Sequence, residues 1–312
     1  MSAAGSAPAR PAVPGMARVD ARLVLWMLLL TAMWGLNAQS IKALTTGMGP
    51  LLGAGLRGLV ALAALTPYGL LRGESLRYRG RLALHGMVVG VLFGLEFCLF
   101  YVGSRFTTGG HVAIFINMAP FFVALGAHYL LPGDRLHRMK SAGLLLAFAG
   151  VVTLFSNDLF VVRAGYWVGD AMVLAGAGLW GATTLYIKRT LAGEISAFRV
   201  LYVQILVSTP LLLAASLLLE AHPLLGVTPL ILANLAFQGL VVVFFSYLMW
   251  FVLLERYPAS TTQSFTFLSP IWGVSFGALL LGEAVQPLLL AGIALVGLGL
   301  YLVSRPPLRP RA

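Results

Sequence analysis

The chain has 312 residues, of which 59% are hydrophobic and only 10% charged, with a formal net charge of +11 and a mean hydropathy of +0.91. Soluble domains carry about 25% charged residues, so this composition excludes an ordinary soluble domain, a disordered chain and a fibre. It points to an all-α membrane protein, because apolar runs such as 211–215, 241–245 and 288–290 do not alternate as a transmembrane β-barrel would.

Residues 1–21 are rich in Ala, Pro and Gly and read as a disordered tail. Ten hydrophobic spans follow, at roughly 23–41, 50–71, 82–103, 107–131, 140–157, 166–187, 197–219, 229–254, 258–281 and 285–304, and residues 305–312 form a short tail. A cleaved signal peptide is the competing reading of the first run. Against it, the run continues through Trp34, Gly35 and Asn37 and matches a later segment.

The positive charge is topological. With both termini in the cytoplasm, 17 of the 21 Lys and Arg fall on the cytoplasmic side, and Lys42, Arg105 and Arg163 on the other. That bias follows the positive-inside rule and sets the orientation. It also argues against a nucleic-acid partner. Cys98, the single cysteine, lies within span three, which excludes disulfides and zinc–cysteine sites. The five histidines show no metal-ligand spacing, and His111, near the outer end of span four, is expected to be exposed. No metal, cofactor or catalytic residue is expected.

Landmarks recur along the chain. Trp34-Gly35 with Ile41-Lys42 returns as Trp180-Gly181 with Ile187-Lys188, an offset of 146. Ala119-Pro120 returns as Ser269-Pro270, an offset of 150, and Gly133-Asp134, Gly143 and Gly150 return as Gly282-Glu283, Gly292 and Gly299, an offset of 149. Thr66-Pro67 and Thr209-Pro210 are a looser pair. The expected organisation is two five-helix repeats, 22–157 and 166–304. Five is odd, so the second repeat must enter the membrane inverted. Inverted repeats place a site at their interface near the midplane, with alternating access as the halves exchange conformations.

The Trp-Gly of spans one and six and the Pro followed by Gly-Asp or Gly-Glu resemble the drug/metabolite transporter superfamily, and within it the EamA-type exporters. The resemblance covers about residues 23–304. It implies a ten-helix secondary carrier for amino acids, other metabolites or drugs, with a central cavity, no ATP-binding domain and a bacterial inner-membrane location. Gly133-Asp134 departs from the Gly-Glu pattern that Gly282-Glu283 keeps, and the pair is read as a helix stop and start.

Ionisable groups in hydrocarbon cost at least about 2.5–3.5 kcal/mol and need a cavity or a partner. Arg57 and Glu96 each lie about 10–12 Å below the outer ends of adjacent spans at 1.5 Å per residue. Three readings stay open: Glu96 couples transport to protons, Arg57 and Glu96 bind a substrate carboxylate and amine, or the two form a structural ion pair. Gly86, Gly90 and Gly94 form a stripe suited to close helix contact, while Phe93, Glu96 and Phe100 share another stripe read as cavity-facing.

Trp34 and Asn37 share one helical face, as do Trp180 and Thr183, in the manner of a pocket for an amphipathic solute or of helix packing. Further candidates for the substrate site are Phe100, Tyr101, Asn117, Gln204, Gln238, Ser246, Trp250 and Gln263, with Thr266 on the same stripe as Gln263. Pro120 and Pro270 each remove a backbone hydrogen bond at equivalent mid-span positions and are candidate hinges. The expected function is export of a small amphipathic metabolite or drug-like compound, with protons and the lipid bilayer as the other partners. A lipid or lipid-linked sugar flippase and a membrane-embedded enzyme are the alternatives; the short basic loops hold no Ser/His/Asp or metal cluster to support the latter.

Overall fold

In a computed structural model, which describes residues 17, 19–159, 161, 163–282 and 288–305, the chain is helical and the described residues contain no strand. Isolated bridges join Met48 to Leu224 and Ala192 to Ile195. Glu283 and most of the two terminal tails lie outside the described residues.

Helices fall on each apolar stretch. The first half holds α1 (Ala21–Leu44), α2 (Pro50–Leu71), α3 (Arg81–Gly103), α4 (Gly109–Ile116), α5 (Ala119–Leu130), α6 (Arg138–Leu154) and the short α7 (Ser156–Leu159). The second holds α8 (Tyr166–Thr190), α9 (Ala197–Leu219), α10 (Pro229–Ala236), a π-helix (Phe237–Ser246), α11 (Tyr247–Arg256), α12 (Ala259–Ser264), a 3₁₀ turn (Phe265–Leu268), α13 (Ser269–Leu281) and α14 (Leu289–Val303). Among the described residues six stretches are long and apolar enough to cross a bilayer: Ala21–Leu44, Pro50–Leu71, Arg81–Gly103, Gly109–Leu130, Ala197–Leu219 and Pro229–Arg256.

Local chemistry starts and stops these helices. The Asp20 carboxylate accepts the Leu23 N–H at 2.9 Å to cap α1, and Thr108, Ser196 and Thr228 cap α4, α9 and α10 in the same way. Pro50 and Pro229 stand in the first turn of their helices, where a missing N–H costs nothing. Gly282 closes α13 at φ +66, a left-handed conformation that a side chain would strain.

Small residues then set which helices touch. Gly86, Gly90 and Gly94 of α3 lie against Val203, Val207 and Leu211 of α9, where a Cβ added at Gly86 or Gly90 would collide and one at Gly94 would fit tightly, so the predicted contact stripe is a helix interface. A Cβ on Gly143 would stand 2.6 Å from the Gly299 carbonyl oxygen, and one on Gly150 2.8 Å from that of Gly292. Backbones this close need glycine on both helices, and they hold α6 against α14. The remaining large contacts are α2 with α9 and the π-helix, α3 with α8, α1 with α13, and α5 with α8.

Candidate functional site

Spans four and nine break at their mid-span prolines. The α4 helix ends at Ile116 and α5 begins at Ala119 with Pro120 in its first turn. Likewise α12 passes through the 3₁₀ turn before α13 begins with Pro270 in its first turn. The physical reason is that a proline lacks the N–H the helix interior needs but fits a helix start.

Between these breaks lies a cavity of about 250 Å³. Its first wall comes from α1 and α3, through Trp34, Asn37, Phe93, Glu96, Phe97 and Phe100, with Tyr101 beside them. The facing wall comes from α8, α9 and α11, through Trp180, Thr183, Thr184, Gln204, Tyr247 and Trp250, with Phe251 beyond. Asn117, Thr266 and Ser269 reach it from the two helix breaks.

Aromatic rings dominate. The Trp34 ring centroid is 5.5 Å from Trp250 and 6.5 Å from both Trp180 and Tyr247, all at steep angles. Phe93 stands 4.7 Å from Phe97 and 6.0 Å from Tyr247. Edge-to-face pairs of this kind hold ring orientations.

Polar groups in the cavity wall are short of partners. Asn37 Oδ1, Glu96 Oε2, Gln204 Oε1 and Ser269 Oγ are buried without a hydrogen bond. An unpartnered buried acceptor costs about 1–3 kcal/mol. Asn117 is partly committed, since its Nδ2 donates to the Ala113 carbonyl at 2.7 Å.

Nine of the twelve residues expected to bind substrate therefore line the cavity: Trp34, Asn37, Phe100, Tyr101, Asn117, Trp180, Thr183, Gln204 and Trp250. Gln238, Ser246 and Gln263 do not. Ser246 Oγ accepts the Trp34 indole N–H at 2.9 Å. Gln238 donates to Ser40 Oγ at 3.2 Å, and Ser40 in turn donates to Asn234, a polar bridge between α1 and the α10 region. Gln263 is fully buried on α12 and leaves both amide atoms unpaired.

The ion pair also needs correction. No contact within 4.0 Å joins Arg57 to Glu96. Arg57 is buried with its guanidinium carbon 4.7 Å from the Phe97 ring centroid, and it contributes nothing to the cavity wall. Glu96 lines the wall and the Phe97 ring lies against the cation, whose charge still reaches Glu96 at longer range, while Arg57 Nη1 keeps no hydrogen bond. The expectation that His111 is exposed fails as well: it is buried, with Nδ1 3.0 Å from Asp170 and Nε2 3.0 Å from the Asp158 carbonyl.

Sequence reasoning missed Phe97, Tyr247, Phe251, Thr184 and Ser269 as lining residues. Helical spacing could have found several. Phe97 and Tyr101 continue the α3 stripe one turn at a time from Phe93, and Tyr247, Trp250 and Phe251 follow i, i+3, i+4. The departure is the π-helix before Tyr247, which resets the phase of span eight and which no sequence pattern marks.

Comparison with known proteins decides the family. The profile of the EamA-like transporter family matches residues 21–156 and again 167–305. The chain belongs to that family. It is an integral membrane transporter acting on small molecules, and not an enzyme. Among its relatives, the uncharacterized transporter YvbV of Bacillus subtilis is 27% identical over 291 residues, covering 91% of this chain and 92% of that one. A probable amino-acid metabolite efflux pump of Salmonella typhimurium is 28% identical over 305 residues, covering 92% and 95%. A solved crystal structure superposes with a TM-score of 0.78 at 21% identity, over 91% of this chain and 96% of the other, a likeness of fold.

Proposed function

We propose that this transporter exports small amphipathic metabolites by alternating access, with two inverted five-helix halves closing in turn on the central cavity. The observation that carries the reading is that the cavity is built from matching elements of both halves: Trp34 and Asn37 on α1, Trp180 and Thr183 on α8, and the two helix breaks. The packing supports the inverted relation. Adding 149 to Gly143 and Gly150 gives Gly292 and Gly299, so the contacts of Gly143 with Gly299 and of Gly150 with Gly292 exchange into each other. The contact of α1 with α13 likewise has its counterpart in that of α8 with α5.

A cavity of about 250 Å³ is slightly smaller than the roughly 300–1,000 Å³ of drug-sized pockets and suits a solute of amino-acid size. That the relatives include probable amino-acid metabolite efflux pumps favours outward transport. In this reading both termini are cytoplasmic, the membrane is a bacterial inner membrane, and the breaks at Pro120 and Pro270 are the hinges. Glu96, the carboxylate in the cavity wall, couples release to proton uptake, and Arg57 holds the wall behind Phe97.

The test is efflux of a labelled amino-acid and drug panel from proteoliposomes, with and without an imposed pH gradient. Gradient-driven release of a cargo supports the reading, and Glu96→Gln then abolishes the gradient dependence. Release that ignores the gradient removes the coupling role of Glu96. No release of any water-soluble cargo overturns the reading in favour of a lipid.

A further inference from the structure

Buried His111, in the first turn of α4, has an acceptor at each ring nitrogen. Its Nδ1 lies 3.0 Å from both carboxylate oxygens of Asp170 on α8, and its Nε2 lies 3.0 Å from the backbone carbonyl oxygen of Asp158 on α7. A carbonyl oxygen and a carboxylate only accept. Asp170 Oδ1 accepts the Thr107 hydroxyl as well, at 2.6 Å. A neutral imidazole has one N–H. It leaves either the Nδ1 lone pair against Asp170 or the Nε2 lone pair against the Asp158 carbonyl. Only the imidazolium donates to both. Moving its second proton onto Asp170 would leave the number of bound protons unchanged.

The helices packed on α4 bring acids to the ring and keep their cations elsewhere. From α8 come Asp170 and Tyr166, the latter with its ring centroid 6.0 Å away. From α7 comes Asp158, whose carboxylate lies against Gly110, where an added Cβ would collide with it. The α6 helix carries its ionisable residues, Arg138 and Lys140, in its first turn at the far end, and α8 carries Lys188 and Arg189 in its last turn. In the flanking connections Arg105 is bound to Glu220 and Arg163 is exposed.

The contact joins two helices that both build the cavity wall. The α4 helix runs from the His111 end to the break, where Ile116 and Asn117 reach the cavity about 9 Å farther along the axis. The α8 helix carries Trp180 and Thr183 into the same wall. Its start is seated on the end of α3, since a Cβ on Gly169 would stand 2.7 Å from the Gly103 carbonyl oxygen. The break separates α4 from α5, so α4 is the element able to swing, and His111 ties its start to α8 and α7.

We infer that His111 is a proton-binding site that latches α4 to its neighbours: with two ring protons it bonds Asp170 and Asp158 together, and loss of one proton releases one of them and lets α4 swing away from α8. This site is separate from Glu96, which stands in the cavity wall. The latch is a property of the fold, and its bearing on transport rests on the reading that the two halves part on either side of the cavity. Acid holds the latch and alkali releases it.

Histidine is the side chain that changes charge between about pH 5 and 8, which sets the interval for the test. A pair of spin labels reads the separation of α4 from α8 in the detergent-solubilised full chain. Gly109→Cys puts one label in open space at the start of α4, and Trp167→Cys puts the other at an exposed position on α8, with Cys98→Ser removing the native thiol. One distance is expected at the acidic end of the interval, and a second, longer population at the alkaline end. His111→Asn can still donate to Asp170 but gains no charge, and is expected to lose the pH response. Asp170→Asn turns an N–H toward Nδ1 and so satisfies a neutral ring; its pH response is also expected to be lost, which keeps the latch testable where one variant fails to fold. Distances that ignore pH in the labelled parent overturn the inference, as does a pH response that persists in either variant. A pH-responsive latch in a protein that releases no cargo from proteoliposomes defeats the transport reading and leaves the proton site standing. Gradient-driven release from a protein whose distances ignore pH does the reverse.

Discussion

At the ends of the bundle Asp134 meets Lys140 and Ser260, and Glu220 meets Arg105, Ser216 and two backbone amides, whereas in the middle no hydrogen bond or ion pair from the described residues reaches Glu96, and only the charge of Arg57 lies near it. The detail of the ends is consistent. Asp134 accepts from Lys140 Nζ at 2.8 Å and from the Ser260 N–H at 2.9 Å, with the Ser260 hydroxyl on the same carboxylate. Glu220 accepts the N–H groups of Leu51 and Leu52 at 2.9 and 3.0 Å and Arg105 Nη2 at 2.9 Å, and Ser216 donates to it at 2.7 Å. Each acid belongs to one half and caps a helix start in the other, where the helix dipole favours negative charge. Lys188 mirrors this with a cation at a helix C-terminus, donating to the carbonyls of Glu255 and Tyr257 at 2.9 and 3.1 Å as well as to that of Leu254. The buried acids that fasten helices are saturated, and the one that lines the cavity is not. Among these acids partner count separates fastening from cavity more sharply than burial does, since Glu96 and Glu220 are equally buried.

Substitution can break this contrast. The largest loss of stability is expected for Asp134→Ala, which strands the buried Lys140 ammonium and uncaps α12. Removing one partner of a buried pair costs about 3–5 kcal/mol, visible as a fall in the thermal midpoint of the detergent-solubilised protein. Next comes Gly299→Ala, whose Cβ would stand 2.5 Å from the Ala147 nitrogen and 2.6 Å from the Gly143 carbonyl oxygen. Separating α6 from α14 is expected to cost about 1–3 kcal/mol in the same measurement.

A smaller effect is expected at Asp20, whose carboxyl is held below its ordinary value by the Leu23 N–H and then by the Tyr257 hydroxyl. A depressed carboxyl stabilises above its unfolded pKa and loses that contribution as pH falls through the folded one. Wild type should therefore lose thermal stability on acidification below the ordinary carboxylate range, and Asp20→Asn should lose less over that interval. The smallest stability change, under about 1 kcal/mol, is expected for Glu96→Gln, because the carboxylate has no fastening to lose. Coupled transport should nonetheless fall by at least about ten-fold in that variant, measured as gradient-driven efflux. A destabilisation by Glu96→Gln as large as that by Asp134→Ala would erase the contrast between site and fastening.

Much of the site was legible in the sequence because a helix repeats every 3.6 residues and hydrocarbon penalises polar groups. Trp34 with Asn37 and Trp180 with Thr183 announced shared faces, and each polar member was certain to seek protein or water. Proline positions marked the two breaks, since a missing N–H constrains the chain wherever it is placed. Asp134 was read only as punctuation, and its carboxylate proved to cap a helix more than a hundred residues away. No local pattern contains that distance.

The sequence by itself determined the solvent, the helices and the family, because composition, period and repeated landmarks are properties of the chain alone. The tertiary structure decided which polar residues find partners. It turned Gln238 and Ser246 into helix links, sent Arg57 to the ring of Phe97 instead of to Glu96, and buried His111 against Asp170. Hydrogen bonds and ring contacts depend on approach within a few ångströms between helices. That approach is fixed by glycines and broken helices acting together, and one helix read in isolation cannot supply it.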